Sequence, residues 1–330
     1  MGMKKKMLSA TLCAVMVGSL AAPAFTVQAA DDTLVYWSMW EATEPQGQVI
    51  QEAVDAYTEQ TGVKVDLQFK GRTGNREALQ PALDGGTQID IFDEDIDRVN
   101  GMYGKYLLDL EDLAKDNDYE ATANAGLMAA CRDAGGGTLK TIPYQPNVFA
   151  FFYNKDLFDA AGVAYPEDGM TMAEYHELAA KMTSGEGNDK VYGAHVHTWP
   201  SNVYNYPNRT GKFNFTDPDT YANLTDYYNE ILAMQDEGLV QDYGVLKSSN
   251  IHYSGVFYNQ QAAMLQIGTW YINMLCENVK DFNWGVCALP NNDGIKNENS
   301  VGGVTPVSIG AYAKHPAEAW QFITFVCGEE

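Results

Sequence analysis

The alternation of strand-like and helix-like segments between residues 34 and 92 narrows the possible folds of this chain more than any other feature. LVYWSMW (34–40) is a β-rich apolar run, and residues 47–61 then place Ile50, Ala53, Val54 and Tyr57 at helical spacing. Gly62 stands where a helix commonly ends in a left-handed residue. VKVDLQF (63–69) alternates Val63, Val65, Leu67 and Phe69, which predicts a strand with one buried face. Arg76 to Leu83 reads as a second helix and IDIF (89–92) as a third strand. Strand, helix, strand, helix, strand is the pattern of a parallel sheet covered by helices, and so of an α/β fold.

A second part opens with VFAFFYN (148–154), another apolar run. Thr171 and Glu174 have the spacing of a capping box, starting a helix with Tyr175, Leu178, Ala179 and Met182 on one side. Asp217-Pro218 predicts the start of a further helix through Tyr221, Leu224, Tyr228, Ile231 and Leu232. The Gly/Asn/Pro/Tyr-rich stretch from 184 to 215 has no clear period and is expected to form loops facing a cleft. At 330 residues, 45% hydrophobic and 20% charged, the chain suits two globular domains.

Residues 1–29 are expected to be a secretory signal: the basic MGMKKK, an apolar stretch, then small residues around Ala29. Cys13 sits inside the apolar run rather than at the cleavage point, which argues against a lipoprotein. Cys131, Cys276, Cys287 and Cys327 remain in the mature chain, and the sequence does not choose among their pairings. The formal net charge of −23 argues against nucleic-acid partners and anionic membrane surfaces.

DIFDEDIDR (90–98) puts Asp90, Asp93, Glu94, Asp95 and Asp97 within eight residues. A calcium loop would need Gly where Arg98 stands and Glu where Gly104 stands. Tyr227-Tyr228 could serve a ferric site, but such neighbours on an amphipathic helix divide between core and surface. Glu41 and Glu94 could form a glycosidase pair, a weak signal in so acidic a chain. His195-x-His197 on a strand would turn both rings to one face, without an evident third ligand. No nucleophile motif or phosphate loop occurs, and neither catalytic residues nor a metal or other cofactor are expected. Sugars need carboxylate and amide partners for hydroxyls and aromatic rings for C–H faces. Trp40-Glu41, Tyr144 to Asn147, Trp199 and Trp270-Tyr271 offer such groups at expected element ends.

Several stretches resemble one family. IPYQPNVFAFFYNKDLFDAAGV (142–163) is similar to the segment carrying YNKDLF-x-x-AG in extracellular sugar-binding proteins of ABC importers, the solute-binding proteins that include maltose-binding protein. NQQAAMLQIGTW (259–270), FNWGVCALP (282–290) and GGVTPVSIGAYAKHPAEAWQFITF (302–325) resemble further segments of that family. IDIFDEDIDR aligns with its Pro-Asp-Ile tract and, in one branch, a following Asp-Arg; here Ile89 replaces the Pro. The family pattern continues beyond the closing helix of this chain, so the resemblance implies a sequence incomplete at its C-terminus.

The resemblance implies a two-lobed, periplasmic-binding-protein-like α/β fold with hinge strands and an interlobe cleft. Lobe 1 would comprise residues 30–145 and 303–330, and lobe 2 residues 146–302, with the hinge near 144–148 and 300–306. It implies a non-enzymatic, exported, monomeric receptor that takes a carbohydrate to ABC permease subunits without inserting into the membrane itself. A secreted glycoside hydrolase and a same-fold receptor for a metal or another small solute stand as alternatives.

By position, the resemblance makes Trp270 the aromatic platform under a sugar ring and Asn147 a polar ligand residue before the hinge strand. Asp97 and Arg98 match the Asp-Arg pair, with Glu94 beside them; Trp40, Glu41, Tyr144 and Trp199 are further expected contacts. Gly302 and Gly303 would let backbone approach the ligand. Asp90 is expected to be structural, and Asp93 and Asp95 to be solvated.

Overall fold

The computed structural model describes residues 33–115, 124–209, 213–290 and 302–327; the expected signal, 1–29, lies outside them. Three parallel strands open the fold: β1 (Leu34–Ser38) lies between β2 (Val65–Phe69) and β3 (Ile91–Asp93). Helix α1 (Pro45–Thr61) connects β1 to β2, and helix α2 (Gly71–Asp84) connects β2 to β3. Pro45 begins α1 and Gly62 ends it at φ 77°, with its N–H on the Thr58 carbonyl. Ile50, Val54 and Tyr57 form the buried stripe of α1. The strand expected over 63–69 starts at Val65 and does not alternate in burial, because β2 is the sheet edge.

Strand β4 (Thr141–Asn154) belongs to two sheets. Thr141 to Val148 pair antiparallel with β8 (Gly302–Ile309), which in turn pairs with β3. Phe149 to Tyr153 pair instead with β6 (Ala262–Gly268), and Phe151 to Asn154 with β7 (Trp284–Cys287). Strand β5 (Tyr192–His195) adds to β6 in parallel. One strand thus leaves the first sheet and becomes the centre of the second, with a register irregularity between Pro143 and Gln145.

Separate hydrophobic cores accompany the two sheets. Leu34, Tyr36, Ile91, Val307 and Ile309 pack with Trp320, Phe322 and Ile323 of the helix Pro316–Cys327. On the second sheet, Phe151 and Met264 pack with Tyr175 and Ala179 on one face, while Phe152 and Leu265 pack with Tyr271 and Leu275 on the other. The helix Met172–Met182 begins with the expected capping box: Glu174 N–H donates to Thr171 Oγ1 (3.2 Å) and Thr171 N–H to Glu174 Oε2 (2.8 Å).

Two expectations are corrected. The stretch 184–215 contains β5 and the helix Ser201–Asn208 rather than loops alone. Its strand packs so closely on the preceding helix that a Cβ at Gly193 would lie 1.9 Å from the Ala179 carbonyl oxygen. Asp217-Pro218 starts only one 3-10 turn, Pro218–Thr220, and the α-helix runs Ala222–Asp236. Its buried face therefore holds Tyr227 and Met234, while Tyr228 and Leu232 are 47% and 51% exposed. Tyr227 stacks on Tyr206 with centroids 4.7 Å apart, so the Tyr227-Tyr228 pair does not share a face.

His176 joins two helices of the second part, with Nδ1 2.6 Å from Glu230 and Nε2 3.0 Å from Glu237. Carboxylates at both ring nitrogens suit the imidazolium, which alone donates from both. The hydrogen bond to Glu237, then that to Glu230, raises its pKa above the ordinary 6.5. A raised folded value supplies stability below the ordinary pKa and loses it as pH climbs through the folded one. Asp93 is the converse problem. It is wholly buried, accepting from Tyr36 OH (2.6 Å) and Met39 N–H (2.7 Å), rather than solvated as expected. Burial pushes its pKa from 3.8 up to about 6, against the lowering effect of those hydrogen bonds. Its contribution is therefore present below 3.8 and lost as pH rises through about 6.

Two denaturation experiments follow from these signs. His176→Gln should destabilise the protein more at pH 6 than at pH 9, by about 0.5–1 kcal/mol for a partly exposed pair; equal costs would contradict the bridge. Asp93→Asn should lack the wild-type loss of stability between pH 4 and 6.5, and parallel pH–stability curves would refute the buried-acid account.

Candidate functional site

Most residues singled out from the sequence lie around the carboxyl ends of β1 and β3, the β4–β8 crossing, and the carboxyl end of β6. Such strand ends are where open α/β sheets hold ligands. A 570 Å³ surface concavity lined by Thr33, Gln51, Asp55 and Lys64 sits at the amino end of β1 instead and holds none of them.

One wall is polar. After β1, Trp40 is only 5% exposed: its Nε1 donates to Tyr144 OH (2.7 Å), and the Arg72 guanidinium lies 4.7 Å over its ring. Trp40, expected as a ligand contact, is thus buried beneath Arg72. Glu41 is exposed, and its carboxylate lies where a Cβ on Gly71 (φ +65°) would be, 1.9 Å away. Glycine at 71 therefore allows α2 to start against Glu41.

DIFDEDIDR divides unlike its expected pattern. Asp90 is buried and structural as expected, accepting from the N–H groups of Val35 (2.9 Å) and Lys314 (2.8 Å). Glu94 is 1% exposed, accepts from Asn75 Nδ2 (3.3 Å) and Asp95 N–H (3.0 Å), and pairs with Arg98 at 3.5 Å. Burial raises its pKa. It orients Arg98 from below rather than lying open to the cleft. Asp95, expected to be solvated, binds Arg72 through both oxygens at 2.9 Å and Arg76 at 2.7 Å. Asp97 is exposed and Arg98 partly so.

The floor is the strand crossing. Asn147 pairs with Gly303 and Val148 with Gly302. A Cβ at Gly302 would fall 2.6 Å from the Asn147 carbonyl oxygen, whereas Gly303 faces open space. Glycine at 302 thus permits the close crossing of backbones. Tyr144 and Asn147 are half-buried.

The other wall is aromatic. Trp270 is half-buried after β6, with Phe149 edge-on at 5.4 Å and its Nε1 donating to Tyr253 OH (3.0 Å). A Cβ at Gly268 would lie 1.8 Å from the Trp270 ring, so the Gly-x-Trp spacing lets the indole lie on its own strand. Trp199, 39% exposed, is 6.2 Å from Trp270 and 5.6 Å from Tyr253. His197 lies behind, 4.8 Å from Trp199, with His195 and His252 at 5.8 and 5.7 Å. Burial lowers the His195 and His197 pKa values to about 4 and 3, so both rings are neutral near pH 7. Among the described residues, no three His, Cys, Asp or Glu side chains converge as metal ligands.

Asp97 raises the Tyr204 pKa after the larger effect of burial, and burial raises that of Tyr253 against the smaller lowering effect of Arg72. Arg72, Tyr204 and Tyr253 are residues that the sequence did not single out, whereas Asp95 and His197 were noted there without a ligand role. Arg72 had one usable signal, its place just after a strand; Tyr253 had none beyond residue type.

The profile of the bacterial extracellular solute-binding protein family matches residues 41–330. A sugar transporter from Rhizobium etli, solved in an open conformation, is 30% identical with a TM-score of 0.75, over 90% of this chain and 77% of that one. An ABC substrate-binding protein from Listeria monocytogenes, in complex with cycloalternan, is 23% identical with a TM-score of 0.74, over 89% and 74%. A curated binding protein of Brucella abortus is 26% identical over 199 residues, 56% of this chain and 46% of its own length. The chain thus spans about half the length of the curated relatives that it matches. With its two-lobed α/β architecture and a profile match over most of its length, the chain belongs to the bacterial extracellular solute-binding protein family.

Proposed function

We propose that this protein is the receptor of an ABC importer, capturing a carbohydrate between two lobes and delivering it to membrane permease subunits. The observation that carries this reading is the aromatic wall of Trp199, Tyr253 and Trp270 facing a wall of carboxylates and guanidinium groups. Rings cover the C–H faces of a sugar, while carboxylates and guanidinium N–H groups serve its hydroxyls. The Rhizobium sugar transporter and the Listeria protein holding cycloalternan support the substrate class.

In this reading lobe 1 comprises residues 30–145 and 303–330, and lobe 2 residues 146–302. The hinge lies where β4 and β8 cross at Asn147–Val148 and Gly302–Gly303. Closure brings both walls onto the sugar, so binding favours the closed state. Trp270 and Trp199 are the platforms, Asp97, Arg98, Glu41 and Asn147 the polar contacts, and Trp40, Tyr144 and Glu94 their supports. The receptor acts as an exported monomer without a lipid anchor and catalyses no reaction. Among the described residues no helix is long and apolar enough to cross a membrane.

Calorimetry of the full chain against neutral di- to tetrasaccharides, sugar phosphates and polyols tests the assignment; heat of binding from at least one carbohydrate is expected, and none from any would contradict it. For the sugar that binds, Trp270→Ala should weaken affinity about tenfold or more, the scale of ~1.4 kcal/mol. Gly268→Ala should weaken binding in the same direction, because its methyl group displaces the Trp270 ring. Wild-type affinity in both variants would remove Trp270 from the site.

A further inference from the structure

The polar wall carries three guanidinium groups, and each is already held by a carboxylate. Asp95 takes Arg72 on both oxygens at 2.9 Å and Arg76 at 2.7 Å. Glu94 faces Arg98 at 3.5 Å and Arg76 at 4.0 Å. Two more carboxylates, Glu41 and Asp97, are exposed. Lys70, beside Gly71, is engaged elsewhere, 3.9 Å over the Trp37 ring and 2.8 Å from Gln68 Oε1. The aromatic wall gathers Trp199, Tyr253, Trp270 and the imidazoles of His197 and His252. Lys247, exposed on the helix Tyr243–Ser248, also acts on His197 through its charge.

We infer that Asp95 sets the charge selectivity of this cleft: by holding Arg72 and Arg76 it closes the wall to carboxylated, phosphorylated and sulfated sugars and reserves it for uncharged ones. The inference rests on the carbohydrate reading above. An anionic sugar is recognised when a guanidinium turns its planar fork toward it. Here Asp95 takes one nitrogen of each arginine, Arg72 Nη1 and Arg76 Nη2, and offsets part of their charge, so an incoming anion competes with it for both. That anion also meets Asp97 and Glu41, and repulsion strengthens as closure expels water. A hydroxyl makes no such demand. A guanidinium has five N–H donors, so an arginine paired with Asp95 still has N–H groups for a neutral sugar. Exposed carboxylates accept from hydroxyls as well.

Arg72 is the member of this group placed to act across the cleft. It lies on Trp40, is fixed by Asp95, and its charge is felt by Tyr253 on the opposite wall. Asp95 itself is fixed by its N–H on Glu94 Oε1 (3.0 Å), and its carbonyl accepts from the N–H of Arg98 (3.0 Å) and Val99 (3.1 Å). The backbone of the residue that holds the two arginines is therefore anchored at the sheet end.

Calorimetry of the full-length protein with neutral oligosaccharides of glucose, mannose and galactose, each beside its C6-uronate form, tests the inference. The uronate should bind about tenfold or more weakly than its neutral partner, the scale of unfavourable like-charge placement. Asp95→Asn, which releases both arginines, should raise uronate affinity at least about tenfold while changing neutral-sugar affinity less. If that variant fails to fold, Asp97→Asn, which leaves the arginine pairs intact, should narrow the gap in the same direction. A uronate binding as tightly as its neutral partner to the wild type would overturn the selectivity while leaving the carbohydrate reading intact. Binding of neither series would overturn both.

Discussion

The membership of one strand in two sheets is the constraint from which the rest of the structure follows. β4 leaves β8 at Val148 and joins β6 and β7 within the next residues. The apolar run VFAFFYN supplies this exchange because its second half is buried on both faces of the new sheet, with Phe151 in one core and Phe152 in the other. The crossing with β8 needs glycine, since a side chain at 302 would strike the Asn147 carbonyl. Separate cores then form on the two sheets, which the β4–β8 pairing joins. In the proposed function, that junction is the hinge and the space beside it is the sugar site.

Each wall rests on buried polar groups. Asp90 ties the start of β1 to the segment before the last described helix, and Asp93 ties the end of β1 to β3. Holding Asp93 there costs desolvation, seen in its raised pKa. In return, Met39 to Glu41 and the turn after β3 are fixed side by side, carrying Arg72, Asp95 and Arg98 at one end of the sheet. On the aromatic wall, neutral histidines pack edge-on against Trp199 and Tyr253 without adding charge.

The parallel β1–β2–β3 unit, both capping devices and the structural role of Asp90 were legible because periodicity and turn chemistry are local. The Gly-x-Trp spacing has a structural counterpart in the Trp270 ring lying against Gly268. What failed was burial set by tertiary contacts. Asp93 looked solvated because nothing in DIFDEDIDR reveals that Tyr36 and Met39 converge on it. Asp95 looked solvated because Arg72 lies on a polar first turn of α2, ahead of the helix expected from Arg76, and nothing local shows that Arg72 and Arg76 reach it. The burial of Trp40, an expected contact, was not visible because the sequence does not show Arg72 lying over it. Tyr227 rather than Tyr228 is buried because the 3-10 turn after Asp217 changes the helical phase.

The central claim is that one sugar is held by both walls at once. Hydrogen–deuterium exchange of the full-length protein, with and without a carbohydrate that binds, tests it most directly. The account predicts simultaneous protection of the polar wall, at the start of α2 and around Asp95 to Arg98, and of the aromatic wall around Trp199, Tyr253 and Trp270. Protection confined to one wall, with the other unchanged at saturation, would contradict capture between the lobes.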